Sequence, residues 1–184
     1  MHHNHGISQE IRASNRAFNL SWISSQGLID AEEVSRQQVD VDDFSKSDAS
    51  PFEVVWLRNI DRLCALLPDY FDYRKYTLLD VGCGSGISTL YFFMNYDFGC
   101  VKGFDFSARL IELAINNREH LRSRGSNVDR LYFEVSDARS HKLTPADPLV
   151  LFMFNPFGWE TMEVFIGSNI DALCSTQSLL LYAN

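Results

Sequence analysis

Thr77-Leu78-Leu79-Asp80-Val81-Gly82-Cys83-Gly84-Ser85-Gly86-Ile87-Ser88-Thr89-Leu90 is an apolar run that enters a glycine-rich turn and leaves it on an apolar-periodic segment reaching Phe98. The pattern predicts a buried strand, a tight turn and a helix N-terminus. The three glycines permit positive φ and leave room for a ligand where a Cβ would block it. The N–H groups at the helix start have no partner within the helix and attract electron-rich ligand atoms. A dinucleotide fingerprint, G-x-G-x-x-G, would need its third glycine at position 87, where Ile87 stands. The pattern is instead Asp80-x-Gly82-x-Gly84-x-Gly86.

Three further strands follow, two of them ending on an acid. Val101 to Phe104 leads to Asp105, 23 positions after Gly82 (105 − 82), and Phe106 and Ser107 come next. In nucleotide-binding α/β folds an acid at that strand tip accepts hydrogen bonds from ribose hydroxyls. Ser107 suits the N-cap of the next helix. Tyr132 to Ser136 leads to Asp137 and then Ala138. Pro148 to Phe154 is an unbroken apolar run that suits a central strand covered on both faces; Asn155-Pro156-Phe157-Gly158 follows it. Asp80, Asp105 and Asp137 thus stand at three successive strand ends, which parallel α/β sheets gather on one ligand-binding edge. The predicted order is strand 77–82, helix 86–97, strand 100–105, helix 107–124, strands 130–136 and 149–154, helix 159–174 and strand 178–183. Such alternation means an α/β parallel sheet with helices on both faces.

From about residue 50 to the end the chain resembles the class I S-adenosylmethionine-dependent methyltransferases, with Asp80 to Gly86 as their motif I. The resemblance implies a Rossmann-like sheet and S-adenosyl-L-methionine as cofactor. It places the turn of Gly82, Cys83, Gly84 and Gly86 beneath the methionine part, with Asp80 ordering the site. It gives Asp105 to the ribose and Phe106 to the adenine face. Asp137 would accept from the adenine amino group, and the Ala138 N–H would reach a ring nitrogen. Asn155 falls at the substrate-facing motif, where it would meet both cofactor and acceptor. Asn155-Pro156-Phe157 looks like the Asn-Pro-Pro-Tyr/Phe loop of amino methyltransferases with one proline missing. Phe154-Asn155-Pro156-Phe157 is also similar to a group of small bacterial methyltransferases. The family sheet has seven strands, whereas this chain stops at Asn184 after strand five. The expectation is a sheet edge that pairs with a partner chain as a homodimer, or is masked by the N-terminal segment.

At 184 residues, with 46% hydrophobic and 13% aromatic residues, the chain is globular. A net charge of −8 argues against a nucleic-acid substrate. Only Arg118, Arg122 and Arg124 cluster, on a helix that reads as a solvated face. No apolar stretch is long enough to span a membrane, and the polar start shows no signal peptide. The four cysteines have no metal or redox spacing, so reduced thiols and a cytoplasmic location are expected. His2, His3 and His5 read as a tag-like terminus rather than a metal site.

Residues 1–49 form a separate N-terminal extension in this reading, and residues 50–184 the cofactor-binding domain. Ile7, Ile11, Phe18 and Trp22 are spaced as one helix face ending near Gly27. Asp30 to Asp48 is acidic and weakly periodic, a linker or flap. Ser50-Pro51-Phe52-Glu53 reads as a capping box. Phe52, Trp56, Ile60, Leu63 and Leu67 then share a helix face that Pro68 ends.

The leading functional expectation is methyl transfer to a small or medium-sized acceptor, nitrogen or oxygen, with Asn155 orienting it. A hydroxyl acceptor would need a base, for which His141 is the candidate. Two alternatives stand beside it: a non-catalytic cofactor-binding or truncated module, and an aminopropyl transferase, which usually carries acids where Asn155-Pro156-Phe157 stands.

Overall fold

The computed structural model describes residues 8–30, 48, 55–144, 148–175 and 177–183. Its elements are α1 (Gln9–Gln26), α2 (Leu57–Cys64), a 3-10 turn (Tyr73–Lys75), β1 (Thr77–Val81), α3 (Ile87–Asn95), β2 (Cys100–Asp105), α4 (Ala108–Ser123), β3 (Leu131–Val135), β4 (Leu149–Phe154), α5 (Trp159–Ser175) and β5 (Leu179–Ala183). The five strands form one sheet in the order β3-β2-β1-β4-β5, and every neighbouring pair is parallel. This is the Rossmann-like α/β sheet the sequence predicts. The chain builds outward from β1 to β3, then returns to the other side of β1 with β4. The strand order therefore reverses between β1 and β4, and open α/β sheets bind ligands in the crevice at such a point.

The central strands are buried on both faces, yet their side chains still alternate between two cores. Leu78, Val150 and Phe152 face one side, with Ile87, Leu90 and Phe92 of α3 and Ile60 of α2. Leu79, Val81, Leu151 and Met153 face the other, with Phe104 and with Phe165 of α5.

α1 packs onto the first of these cores through Ile23, and Leu28, just past its end, joins the same core. Its buried residues are Asn15, Asn19 and Ile23; of the predicted face, Phe18 and Trp22 are half-buried and pack against this core, Ile11 is 49% exposed, and Ile7 lies outside the described residues. Asn19 explains the polar interior of this contact. Its amide donates to the Val55 carbonyl (2.8 Å) and its oxygen accepts from Leu57 N (3.0 Å). It thereby caps α2 from another helix. α2 starts at Leu57, because Trp56 is extended (φ −67°, ψ 112°). The capping box Ser50–Glu53 lies outside the described residues.

α1 ends at Gly27, whose φ of 67° is left-handed and whose Cβ, if present, would lie 2.8 Å from His120 Nε2. Gly27→Ala is expected to lower stability by about 1–2 kcal/mol, read as a shift in the urea midpoint. An unshifted midpoint would show that neither the backbone nor the His120 contact constrains this corner.

Candidate functional site

The glycine turn lies at the C-terminal end of β1, on the crevice edge. Gly82 N and Cys83 N both donate to the Phe104 carbonyl (2.9 Å each), which ties the turn to β2, and Gly86 N donates to Cys83 O (2.9 Å). Gly82 and Gly84 have φ of 74° and 54°. Gly82 is exposed at the crevice. A Cβ on Gly82 would stand 2.5 Å from Pro156 Cβ, so the turn touches the loop after β4. Two motifs 74 residues apart (156 − 82) are thus brought together across the point where the strand order reverses.

The three acids have three different surroundings. Asp80 is 2% exposed, and its Oδ2 accepts from the Ser88 and Thr89 hydroxyls of α3 (2.6 Å each). Burial pushes its carboxyl up to about 6, against the pull of those hydroxyls. Its bonds thus run into α3 and fix the helix against the turn. Asp105 is buried at the tip of β2. Its Oδ2 accepts from Gly84 N (3.0 Å) and its Oδ1 from Ser107 N (2.8 Å). Burial raises it to about 6 as well, with the two backbone bonds opposing. Asp137 is half-buried after β3. It accepts from Arg139 N (2.8 Å) and pairs with Arg139 Nη2 (2.9 Å). Phe106 is half-buried next to Asp105, and Ala138 is buried. Cys83 is buried, and desolvation pushes its thiol well up, which makes it inert as a nucleophile.

Asn155 follows β4 with φ 39°, the only non-glycine residue at positive φ among the described residues. It is exposed, and its side chain makes no hydrogen bond among the described residues. Asn tolerates this region better than most residues, and strained backbone clusters at functional sites. Two acids that the sequence left in an undifferentiated stretch also reach the crevice loops. Asp48 O accepts from Gly158 N (2.7 Å), and its Oδ2 accepts from Thr161 N (2.9 Å), capping α5 from outside the helix. Asp30 Oδ1 accepts from Ser85 Oγ at 3.4 Å. Local pattern gives no signal for either contact, since both depend on tertiary approach. Trp159, four residues past Asn155, is 70% exposed.

His141 does not join this edge. Its ring stacks on Phe104 (centroids 4.0 Å apart, planes at 10°), and its Nδ1 lies 2.9 Å from Ser136 Oγ. It lines a cavity of about 340 Å³ with Thr77, Leu79, Lys102 and Leu149, residues from the starts and middles of strands. Burial lowers its pKa. His141, the candidate base for a hydroxyl acceptor, thus stands against the sheet beside Phe104. The arginine cluster is engaged in structure. Arg118 and Arg122 pair with Glu119 (2.9 and 2.6 Å), and Arg124 Nη1 donates to Gln26 O (2.7 Å). Among the described residues no group of three metal-ligating side chains occurs, and no helix is long and apolar enough to cross a membrane. All four cysteines are thiols.

No protein-family model and no curated protein sequence matches the chain. Its fold is similar to that of a Pyrococcus horikoshii protein provisionally assigned as an RNA methyltransferase. That match has a TM-score of 0.53 at 9% identity, over 85% of this chain and 70% of the other. A methyltransferase from Thiobacillus denitrificans, solved with S-adenosyl-L-homocysteine, matches at 21% identity and TM-score 0.43, over 68% of this chain and 46% of the other. TrmK from M. capricolum, also solved with S-adenosylhomocysteine, matches at 12% identity and TM-score 0.42, over 62% and 47%. The chain spans about half or less of the length of the solved structures it matches first. At these identities the likeness is one of fold; two of the neighbours are described as S-adenosylmethionine-dependent methyltransferases and a third is provisionally assigned as one.

Proposed function

We propose that this chain is an S-adenosyl-L-methionine-dependent methyltransferase acting on a small or medium-sized acceptor through nitrogen or oxygen. One observation carries the reading. The Gly82–Gly86 turn, Asp105 and the Asn155 loop converge where the strand order reverses, with Gly82 against Pro156. The residues fit the cofactor. Gly82 offers exposed backbone without a side chain. Asp105 keeps one lone pair on each oxygen beyond its two backbone bonds, enough to accept two ribose hydroxyls. The adenine amino group would share Asp137 with Arg139, beside Phe106 and the Ala138 N–H. Cys83 contributes backbone to the turn. Asp80 is a positioning residue, acting through Ser88 and Thr89.

When bound, the cofactor supplies an activated methyl group, so the protein's own work is alignment and exclusion of water. Asn155 presents its side-chain oxygen, or its carbonyl, to the acceptor. The occupied arginines and the net charge of −8 favour a small molecule over nucleic acid. The thiol state of the cysteines fits a cytoplasmic setting. A homodimer would form by pairing along the β5 edge, where Leu180 and Tyr182 are exposed.

The test is transfer of tritium from S-adenosyl-L-[methyl-³H]methionine into a panel of amines and phenols. The expected result is turnover on at least one acceptor. Asn155→Ala should transfer roughly 100-fold more slowly, a loss typical of misplaced reactants. Tight cofactor binding without transfer to any acceptor would favour a non-catalytic module instead.

A further inference from the structure

We infer that the cavity of about 340 Å³ beside His141 is a binding site for a small aromatic acid, one carboxylate on a flat ring with a polar group at its far end, separate from the strand-end crevice. Sheet topology creates the space. α3 and α4 contribute to the core on one face of the sheet, and α5 to the core on the other. A crossover between parallel strands usually carries a helix, but the connection from β3 to β4 has none among the described residues. The second face is therefore open along β2 and β3. Register sets Leu79 beside Lys102, Lys102 beside Tyr132, and Phe104 beside Glu134 on that face. Lys102, Tyr132 and Glu134 are all exposed.

The inner wall and the mouth of this cavity differ in chemistry. Leu79, Phe104, Leu149 and Thr77 make the inner wall, all of them buried. Thr77 is 7% exposed, and its hydroxyl makes no hydrogen bond among the described residues. A buried hydroxyl without a partner is costly, and a polar atom on the inner end of a ligand would satisfy it. The side walls carry the rings of His141 and Tyr132, which suit a flat body. His141 is held by its stack on Phe104 and by Ser136 Oγ, 2.9 Å from its Nδ1. Lys102 and Lys142 stand at the mouth. Lys102 makes no ion pair or hydrogen bond among the described residues, and Lys142 Nζ reaches the Ser168 carbonyl at 3.4 Å. Glu134 is the one acid in the lining among the described residues, and it lies 3.3 Å from His141 Nδ1. Two ammonium groups against one carboxylate leave the mouth positive in a chain of net charge −8. Apolar walls with a few convergent polar groups are the usual build of a small-molecule site.

The experiment is calorimetry on the full chain with 4-hydroxybenzoate, benzoate and 4-hydroxybenzamide. The first carries both polar ends, the second lacks the inner one, and the third lacks the charge. The expected result is saturable binding of 4-hydroxybenzoate with a Kd in the millimolar range or tighter, undisturbed by S-adenosylhomocysteine. Lys102→Gln, at an exposed position, should weaken both acids by roughly 10-fold, the low end for a charge-assisted bond, and leave the amide unchanged. Thr77→Val keeps the side chain's shape; it should weaken 4-hydroxybenzoate by roughly 3- to 10-fold and leave benzoate unchanged. Glu134→Gln removes the opposing charge and should tighten both acids by about two- to fivefold. Absence of saturable binding by either acid would overturn the inference. So would an equal response of acid and amide to Lys102→Gln, a 4-hydroxybenzoate affinity that Lys102→Gln or Thr77→Val leaves unchanged, or displacement by S-adenosylhomocysteine, which would put the acid in the crevice. None of these outcomes bears on the methyltransferase reading.

Discussion

Gly82→Ala is expected to abolish measurable binding of S-adenosylhomocysteine, or to weaken it by about 100-fold or more, equivalent to roughly 2.8 kcal/mol. The added Cβ would stand 2.5 Å from Pro156 Cβ, closer than real carbons approach, and the backbone there has φ 74°. The turn and the Asn155 loop must then separate, and the ligand lies across both. Left-handed strain costs about 1–2 kcal/mol and overpacking about 1–3 kcal/mol. Stability should therefore fall by about 2–5 kcal/mol. This is within the reserve of a typical domain, about 5–15 kcal/mol, so the variant stays folded and the binding loss is interpretable. Urea unfolding and calorimetry on the same preparation check it. A folded variant with wild-type affinity would make the turn a purely structural corner.

Asp105→Ala should weaken S-adenosylhomocysteine by roughly 10- to 100-fold through the lost ribose bonds. It also removes the acceptor for Gly84 N and Ser107 N, so the turn loses one of its ties to β2 and keeps those of Gly82 N and Cys83 N to the Phe104 carbonyl. The same carboxylate sets a pH dependence. Its pKa in the folded chain is raised to about 6 by burial. It is therefore protonated below that pH and accepts poorly, so wild-type affinity should rise as pH increases through about 6. Asp80 is raised to about 6 too, and Asp105→Asn separates the two: any rise that persists belongs to Asp80. Stability carries the opposite trend. Between the ordinary carboxylate value and about 6 the folded chain binds more protons than the unfolded one. The contribution of these acids to stability is then favourable at low pH and is lost as pH rises through that window. Affinity that is flat with pH in the wild type would contradict the assignment.

β2 and β4 occupy the residues the sequence predicts, and the other strands differ by one residue at their ends. Burial on both faces makes strand 149–154 unmistakable, whereas strand 100–105, in which Lys102 is exposed, is marked by its end on Asp105 before the Ser107 cap. The start of α2 was not legible. Its cap is Asn19, 38 residues upstream of Leu57 (57 − 19), and a local capping pattern carries no information about such a partner. The α1 face was legible at Phe18 and Trp22, which pack against the core, and not at Asn15 and Asn19, since a buried asparagine serving another helix looks polar in sequence. At the crevice, glycine spacing and strand-end acids were visible, because turn chemistry and parallel topology act locally. The clamp of Asn117 on Ile29 and the cap of Asp48 on Thr161 were not. Both depend on where an acidic, weakly periodic stretch lands after folding. The surroundings of the acids were equally hidden: only the structure directs Asp80 into α3 and turns Asp137 toward Arg139.

The most direct test of the central claim is calorimetric titration of the chain with S-adenosylhomocysteine, followed by competition with S-adenosylmethionine and with NAD. The account predicts saturable one-to-one binding, displaced by S-adenosylmethionine, indifferent to NAD and lost in Gly82→Ala. Absence of binding to the folded wild-type chain, or binding that Gly82→Ala and Asp105→Ala leave intact, would contradict it.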